Sequence, residues 1–102
     1  MPFTWTININ KTLGTKGVVF KPNPLTQVAP GDQIIWANND TVPHWPGLVN
    51  EDGSIDTTFF MPNQIAPNST SPTFSPGVAA TLNYADSLNP TEKGSIQVSS
   101  AT

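Results

Sequence analysis

NYADSLNPTEKGSIQV, residues 83–98, decides how this chain folds. Ala80, Leu82 and Tyr84 alternate with polar neighbours, the period of a half-buried strand, and Asp86 falls on the same inward parity. The chain then turns through Asp86, Asn89 and Glu92 before Gly94 opens a second strand carrying Ile96 and Val98. Polar groups gathered on one short loop at the rim of a sheet are the placement expected of a functional site on a rigid scaffold.

The rest of the chain supplies the partners of these strands. Phe3, Trp5, Ile7 and Ile9 alternate with Thr4, Thr6, Asn8 and Asn10, giving one core face and one wet face. A loop over residues 11–17 leads to an extended segment at Val18, Val19 and Phe20. Pro22 and Pro24 lack the N–H that a central ladder needs, so this piece belongs on a sheet edge or at a bulge before Leu25 and Val28. APGD, residues 29–32, is a tight turn, and Ile34, Trp36 and Asn38 then share the inward face of a strand that leads to His44. Residues 45–75 loosen into loops, with short strand candidates near Ile55 and over residues 71–74 and room for one helical turn within residues 56–64. Trp5 and Trp36 are assigned to the core, and Phe59, Phe60 and Met61 to a plug at one of its ends. Seven to eight short strands with frequent turn chemistry and no helical periodicity predict an antiparallel Greek-key β-sandwich, one domain over residues 1–102.

Composition narrows the function. With 4 Lys, no Arg, 7 acids and a net charge of -3, the chain offers no footprint for a phosphate backbone, which argues against nucleic-acid binding. Its 102 residues contain no cysteine, and therefore neither a disulfide nor a thiolate site. No apolar run has the length of a membrane span, and no leader-like segment stands before Phe3. Ser, Thr and Asn make up 31 residues, an uncharged polar balance that suits a periplasmic or extracellular β protein.

Two stretches carry a family likeness that spans nearly the whole chain. FKPNPLTQVAPGDQIIWANNDTVPH, residues 20–44, resembles the cupredoxin run of a proline-bearing strand, a Pro-Gly-Asp turn, a Trp-x-Asn strand and the first copper-binding histidine, here His44. The closing stretch resembles the family's Tyr-x-Cys-x-x-His-Pro-x-Met-x-Gly-x-Ile-x-Val, matching it without a gap at Tyr84, Pro90, Gly94, Ile96 and Val98, with the loop length of the amicyanin-like branch. The resemblance implies a plastocyanin- or amicyanin-like sandwich. It also places Asp86 at the cysteine, Asn89 at the second histidine and Glu92 at the axial methionine, so His44 alone keeps its ligand identity.

That exchange removes the chemistry of a blue-copper centre, which needs a soft thiolate and two imidazoles. The expectation is a domain that has lost its type 1 copper site, holds no cofactor, is not an enzyme, and acts as a non-redox binding or structural module. The alternative is a variant binding Zn or Cu(II) through His44, Asp86 and Glu92, with Asn89 or water completing the set, or a degenerate electron-transfer protein. Without metal, Asp86 would accept loop N–H groups and hydrogen bonds from Asn38 or Asn89, while His44 would pair with a carboxylate or a carbonyl. A general base at His44 lacks an accompanying nucleophile or oxyanion donor, and Ser87 reads as an ordinary loop serine. The family's copper-loop end also carries an apolar docking patch. By that likeness a protein partner would meet Trp45, Pro46, Leu88 and Pro90.

Overall fold

A computed structural model describes residues 3–12 and 17–99. Eight strands occur among them: β1 (Thr4–Lys11), β2 (Val18–Lys21), β3 (Leu25–Val28), β4 (Gln33–Asn38), β5 (Pro46–Val49), β6 (Ile55–Asp56), β7 (Ala80–Asp86) and β8 (Asn89–Val98). They form two sheets, ordered β2-β1-β4 and β3-β8-β7-β5-β6. The expected loop at residues 11–17 lies largely outside the described residues.

The sandwich is as predicted, and its sheets are mixed. β1 pairs with β4 in parallel, and β3 with β8 likewise, whereas every other pairing is antiparallel. The cause is the path of the chain, which leaves the first sheet after β2, enters the second as β3 and returns as β4. Pro22 and Pro24 sit in that crossover, between two edge strands. The ladder of β3 slips between Leu25 and Val28, where Gln27 takes a positive φ of 68°, so edge and bulge occur together.

Period-two alternation fills the space between the sheets. Ile7 and Ile9 from β1, Val18 and Phe20 from β2, Ile34 and Trp36 from β4, Tyr84 from β7 and Ile96 and Val98 from β8 are all buried. Trp36 and Tyr84 meet edge to face with ring centroids 5.5 Å apart, and Phe60 lies 5.0 Å from Trp36. Phe60 and Met61 close one end of this core as expected, but Phe59 stays at the surface. No helical turn forms over residues 56–64, where turns and bends follow β6. The candidate strand at residues 71–74 contributes isolated bridges, Phe74 with Ile34 and the adjacent Thr70 with Ala37, which cover the outer edge of β4.

Trp5 departs from its core assignment. It is half-buried and packs on the core from outside, with its indole N–H donated to Asp32 Oδ2 at 3.0 Å. Asp32 also accepts the N–H groups of Phe3 and Ala29, each at 3.0 Å, and so staples the start of β1 to the 29–32 turn. These three donors hold its carboxyl below the ordinary range, the Trp5 indole contributing most.

Candidate functional site

His44 stands where β4 has ended and the chain turns back toward β5. Its backbone is pinned on both sides by Ile65, donating to the Ile65 carbonyl at 3.2 Å and accepting the Ile65 N–H at 2.7 Å. The ring is thereby fixed between two acids. Nε2 meets Asp40 Oδ2 at 2.9 Å, and Nδ1 makes a short hydrogen bond with Asp86 Oδ2. All three side chains are nearly out of solvent, His44 at 5% exposure, Asp40 at 6% and Asp86 at 0%.

Asp86 reaches this place through strand parity. It ends β7 on the inward side, as the sequence pattern requires, opposite Pro46 of β5 and Asn89 of β8. Its Oδ1 accepts the N–H of Trp45 and the N–H of Leu88, both at 2.9 Å. Ser87 N–H returns to the Trp45 carbonyl at 2.7 Å, so the His44–Trp45 segment and the hairpin tip are tied twice.

Asp40 and Asn38 form the other wall. Asp40 Oδ1 accepts the Thr41 N–H at 2.7 Å, and the Asp40 N–H is donated to Asn38 Oδ1 at 2.9 Å. The Asn38 amide group, 1% exposed, donates to the carbonyls of Val42, Ile65 and Ala66 at 2.9, 3.2 and 3.3 Å. Asn38 therefore closes the loop that carries His44 rather than bonding Asp86. Asp40 carries no signal in the sequence, because a loop residue four positions before a histidine belongs to no periodic pattern. The position of Asn38 on the inward parity of Ile34 and Trp36 was the available signal for a buried hub.

Asn89 and Glu92 face elsewhere. β8 starts directly after a two-residue turn at Ser87 and Leu88, but its ladder slips: Asp86 faces Asn89 while Ala85 faces Lys93. Residues 90–92 have no partner on β7 and bulge outward, which also accommodates Pro90. Glu92 Oε2 accepts the Val18 N–H at 2.8 Å, and its Oε1 accepts the Asn89 side-chain N–H at 3.0 Å. The structure thus joins His44 to Asp86 and Asn89 to Glu92, as two separate pairs. Of the positions assigned to partner contact, Leu88 and Pro90 are exposed, Trp45 is half-buried with its indole directed at the Met61 carbonyl, and Pro46 is buried.

The electrostatics follow from the acceptors. An ionised carboxylate offers only lone pairs, so two of them on one imidazole require a proton on each ring nitrogen, or a proton on one acid. Burial pushes the His44 pKa down, but the hydrogen bonds to Asp86 and Asp40 outweigh it and hold the ring above its ordinary 6.5. The His44 contact in turn outweighs burial at Asp40 and keeps that acid below 3.8. A raised histidine pKa contributes stability that is complete below 6.5 and disappears as pH rises through the folded value. Urea midpoints are therefore expected to fall from pH 6 toward pH 9 in the wild type, and to stay level over that range in His44→Gln. A wild-type midpoint that rises over this interval would contradict the assignment. On the acid side, the stability contributed by Asp40 is lost as pH falls through its depressed value, below 3.8.

These features describe a small β-sandwich whose loop end is closed by a buried imidazole–carboxylate cluster. No protein-family model and no curated protein sequence matches the chain. Solved structures do. A purple cupredoxin from Nitrosopumilus maritimus superposes with a TM-score of 0.77 at 20% identity, covering 93% of this chain and 99% of that one. A Cu(I) form of an amicyanin variant gives 0.74 at 17% identity over 97% and 85% of the two chains. Amicyanin from Paracoccus versutus gives 0.72 at 14% identity over 94% and 81%. The chain has the cupredoxin fold.

The residues present do not fit the copper centre that this fold implies. The chain has no cysteine, both ring nitrogens of His44 are occupied by carboxylate oxygens, and Asp86 Oδ1 is taken by two N–H groups. Glu92 is committed to Val18 and Asn89. Among the described residues no group of three or more His, Cys, Asp or Glu side chains is arranged to hold a metal ion. Nor is the cluster a catalytic triad, since Ser87 Oγ is buried and makes no hydrogen bond to His44.

Proposed function

We propose that this chain is a cupredoxin-fold module that works without a type 1 copper site, as a non-redox and non-enzymatic binding or structural domain outside the cytoplasm. One observation carries the reading: the imidazole at the copper-histidine position is saturated by Asp40 and Asp86, leaving no lone pair for a cation. The location rests on the low charge and the Ser, Thr and Asn richness of the chain. The surface offered to a protein partner is the loop end, where Leu88 is 49% exposed and Pro90 is exposed two residues on.

Metal titration tests the reading directly. Protein purified without chelator or affinity metal and then mixed with Cu(II) or Zn is expected to retain no stoichiometric metal and to keep its melting temperature within about 1 °C, since a ligand that binds the native state must raise it. Stoichiometric binding that disappears in His44→Gln would overturn the reading in favour of a metal-binding variant using His44, Asp86 and Glu92.

A further inference from the structure

The donors around the Asp86 carboxylate all point the same way. His44 Nδ1 contributes one, and the N–H groups of Trp45 and Leu88 contribute two more, each 2.9 Å from Oδ1. These donors come from two places, the adjacent residues His44 and Trp45 and the tip of the Asp86 hairpin at Leu88, and converge on one buried carboxylate at 0% exposure. A cation site is built from lone pairs; the groups directed at the Asp86 carboxylate are instead N–H donors.

We propose that the loop end of this chain, the place where the fold otherwise holds a metal ion, is an anion site of inverted polarity whose resident anion is the chain's own Asp86 carboxylate. The claim rests on the metal-free reading above and goes beyond it. A protein can fail to bind metal for many reasons, whereas a receptor for a carboxylate is expected to take one from solution when its own is removed. Asp40 is the positioning residue. By accepting from Nε2 at 2.9 Å it holds the ring with Nδ1–H directed at the anion. The class of ligand follows from the donor set: a small planar monocarboxylate with one oxygen for the imidazole and the other for the two amides. Formate has the size of the group that Asp86→Ala deletes.

The test adds sodium formate to Asp86→Ala, with sodium chloride at equal ionic strength as control and Zn or Cu(II) in a parallel arm. Formate is expected to raise the melting temperature saturably by several degrees, with neither chloride nor metal doing so. A folded variant that ignores formate, or that gains more from metal, overturns the anion site. The first of these outcomes leaves the metal-free reading of the wild type standing, so the two failures are separable. A measurement on the wild type covers the case in which the variant does not fold. His44 is the chain's only histidine, so ring-nitrogen NMR shows one residue, and at pH 6 both nitrogens are expected to be protonated, with the Nδ1 proton far downfield. A neutral ring with an unprotonated Nδ1 would sink the proposal whatever the variant does.

Discussion

Asp86→Ala is expected to destabilise the fold by about 3–5 kcal/mol, the range for removing one partner of a buried ion pair and leaving the other unpaired. The substitution strands more than a charge. The His44 ring keeps Asp40 on Nε2 but faces a void at Nδ1, and the Trp45 and Leu88 N–H groups lose their acceptor together. Each orphaned buried donor adds a penalty of about 1–3 kcal/mol where water cannot reach it. A domain of this size has only about 5–15 kcal/mol in hand, so the variant approaches the limit of folding. Asp86→Asn discriminates between causes, because the isosteric amide keeps a carbonyl oxygen for the two N–H groups while its NH2 replaces both the charge and the acceptor that face His44 Nδ1. Urea denaturation at pH 6 is expected to rank the wild type first, Asp86→Asn second and Asp86→Ala last. Equal costs for the two variants would place the whole effect in the pairing with His44 and none in the stranded Trp45 and Leu88 N–H donors.

The same cluster shows which parts of a site can be read from a sequence. The burial of Asp86 was legible because strand parity runs on from Leu82 and Tyr84, although Ala80 at the start of the same strand is exposed, and its capture of loop N–H groups followed from a buried carboxylate needing donors. The partner of His44 was legible as a type, a carboxylate, without its identity. Asp40 sits in an aperiodic turn, and only the Asn38 hub, drawing in the carbonyls of Val42, Ile65 and Ala66, brings it under the ring. Glu92 was misdirected for the opposite reason. Alignment with the cupredoxin loop assumes that equal spacing gives equal direction, yet the bulge at residues 90–92 turns its side chain toward Val18. The two-sheet sandwich was recoverable because alternation and turn residues are local. The parallel pairings of β1 with β4 and β3 with β8 depend on which sheet each strand enters, a property of the whole path.

The second large effect lies at Gly94, eight residues beyond Asp86 on β8. Gly94 faces Tyr84 across the β7–β8 ladder, and the Tyr84 ring lies over its α-carbon. A methyl group there would overlap the Cζ, Cε1 and hydroxyl of the ring. Tyr84 has nowhere to retreat, since it is 0% exposed and bounded by Phe20 at 4.9 Å, Trp36 at 5.5 Å and Phe60 at 6.2 Å between centroids. Gly94→Ala is therefore expected to cost about 3 kcal/mol or more, at or above the upper end of ordinary overpacking, even though alanine is otherwise the smaller conformational burden in a strand. The clash predicts its own relief. Tyr84→Leu shortens the offending ring and by itself loses aromatic packing, but with leucine in place the Gly94→Ala methyl has room. Denaturation of both single variants and the double variant is expected to show a double cost smaller than the sum by about 1–3 kcal/mol, the scale of coupling between residues in contact. Strict additivity would mean that Gly94 is required for its backbone conformation and not for the space that Tyr84 occupies.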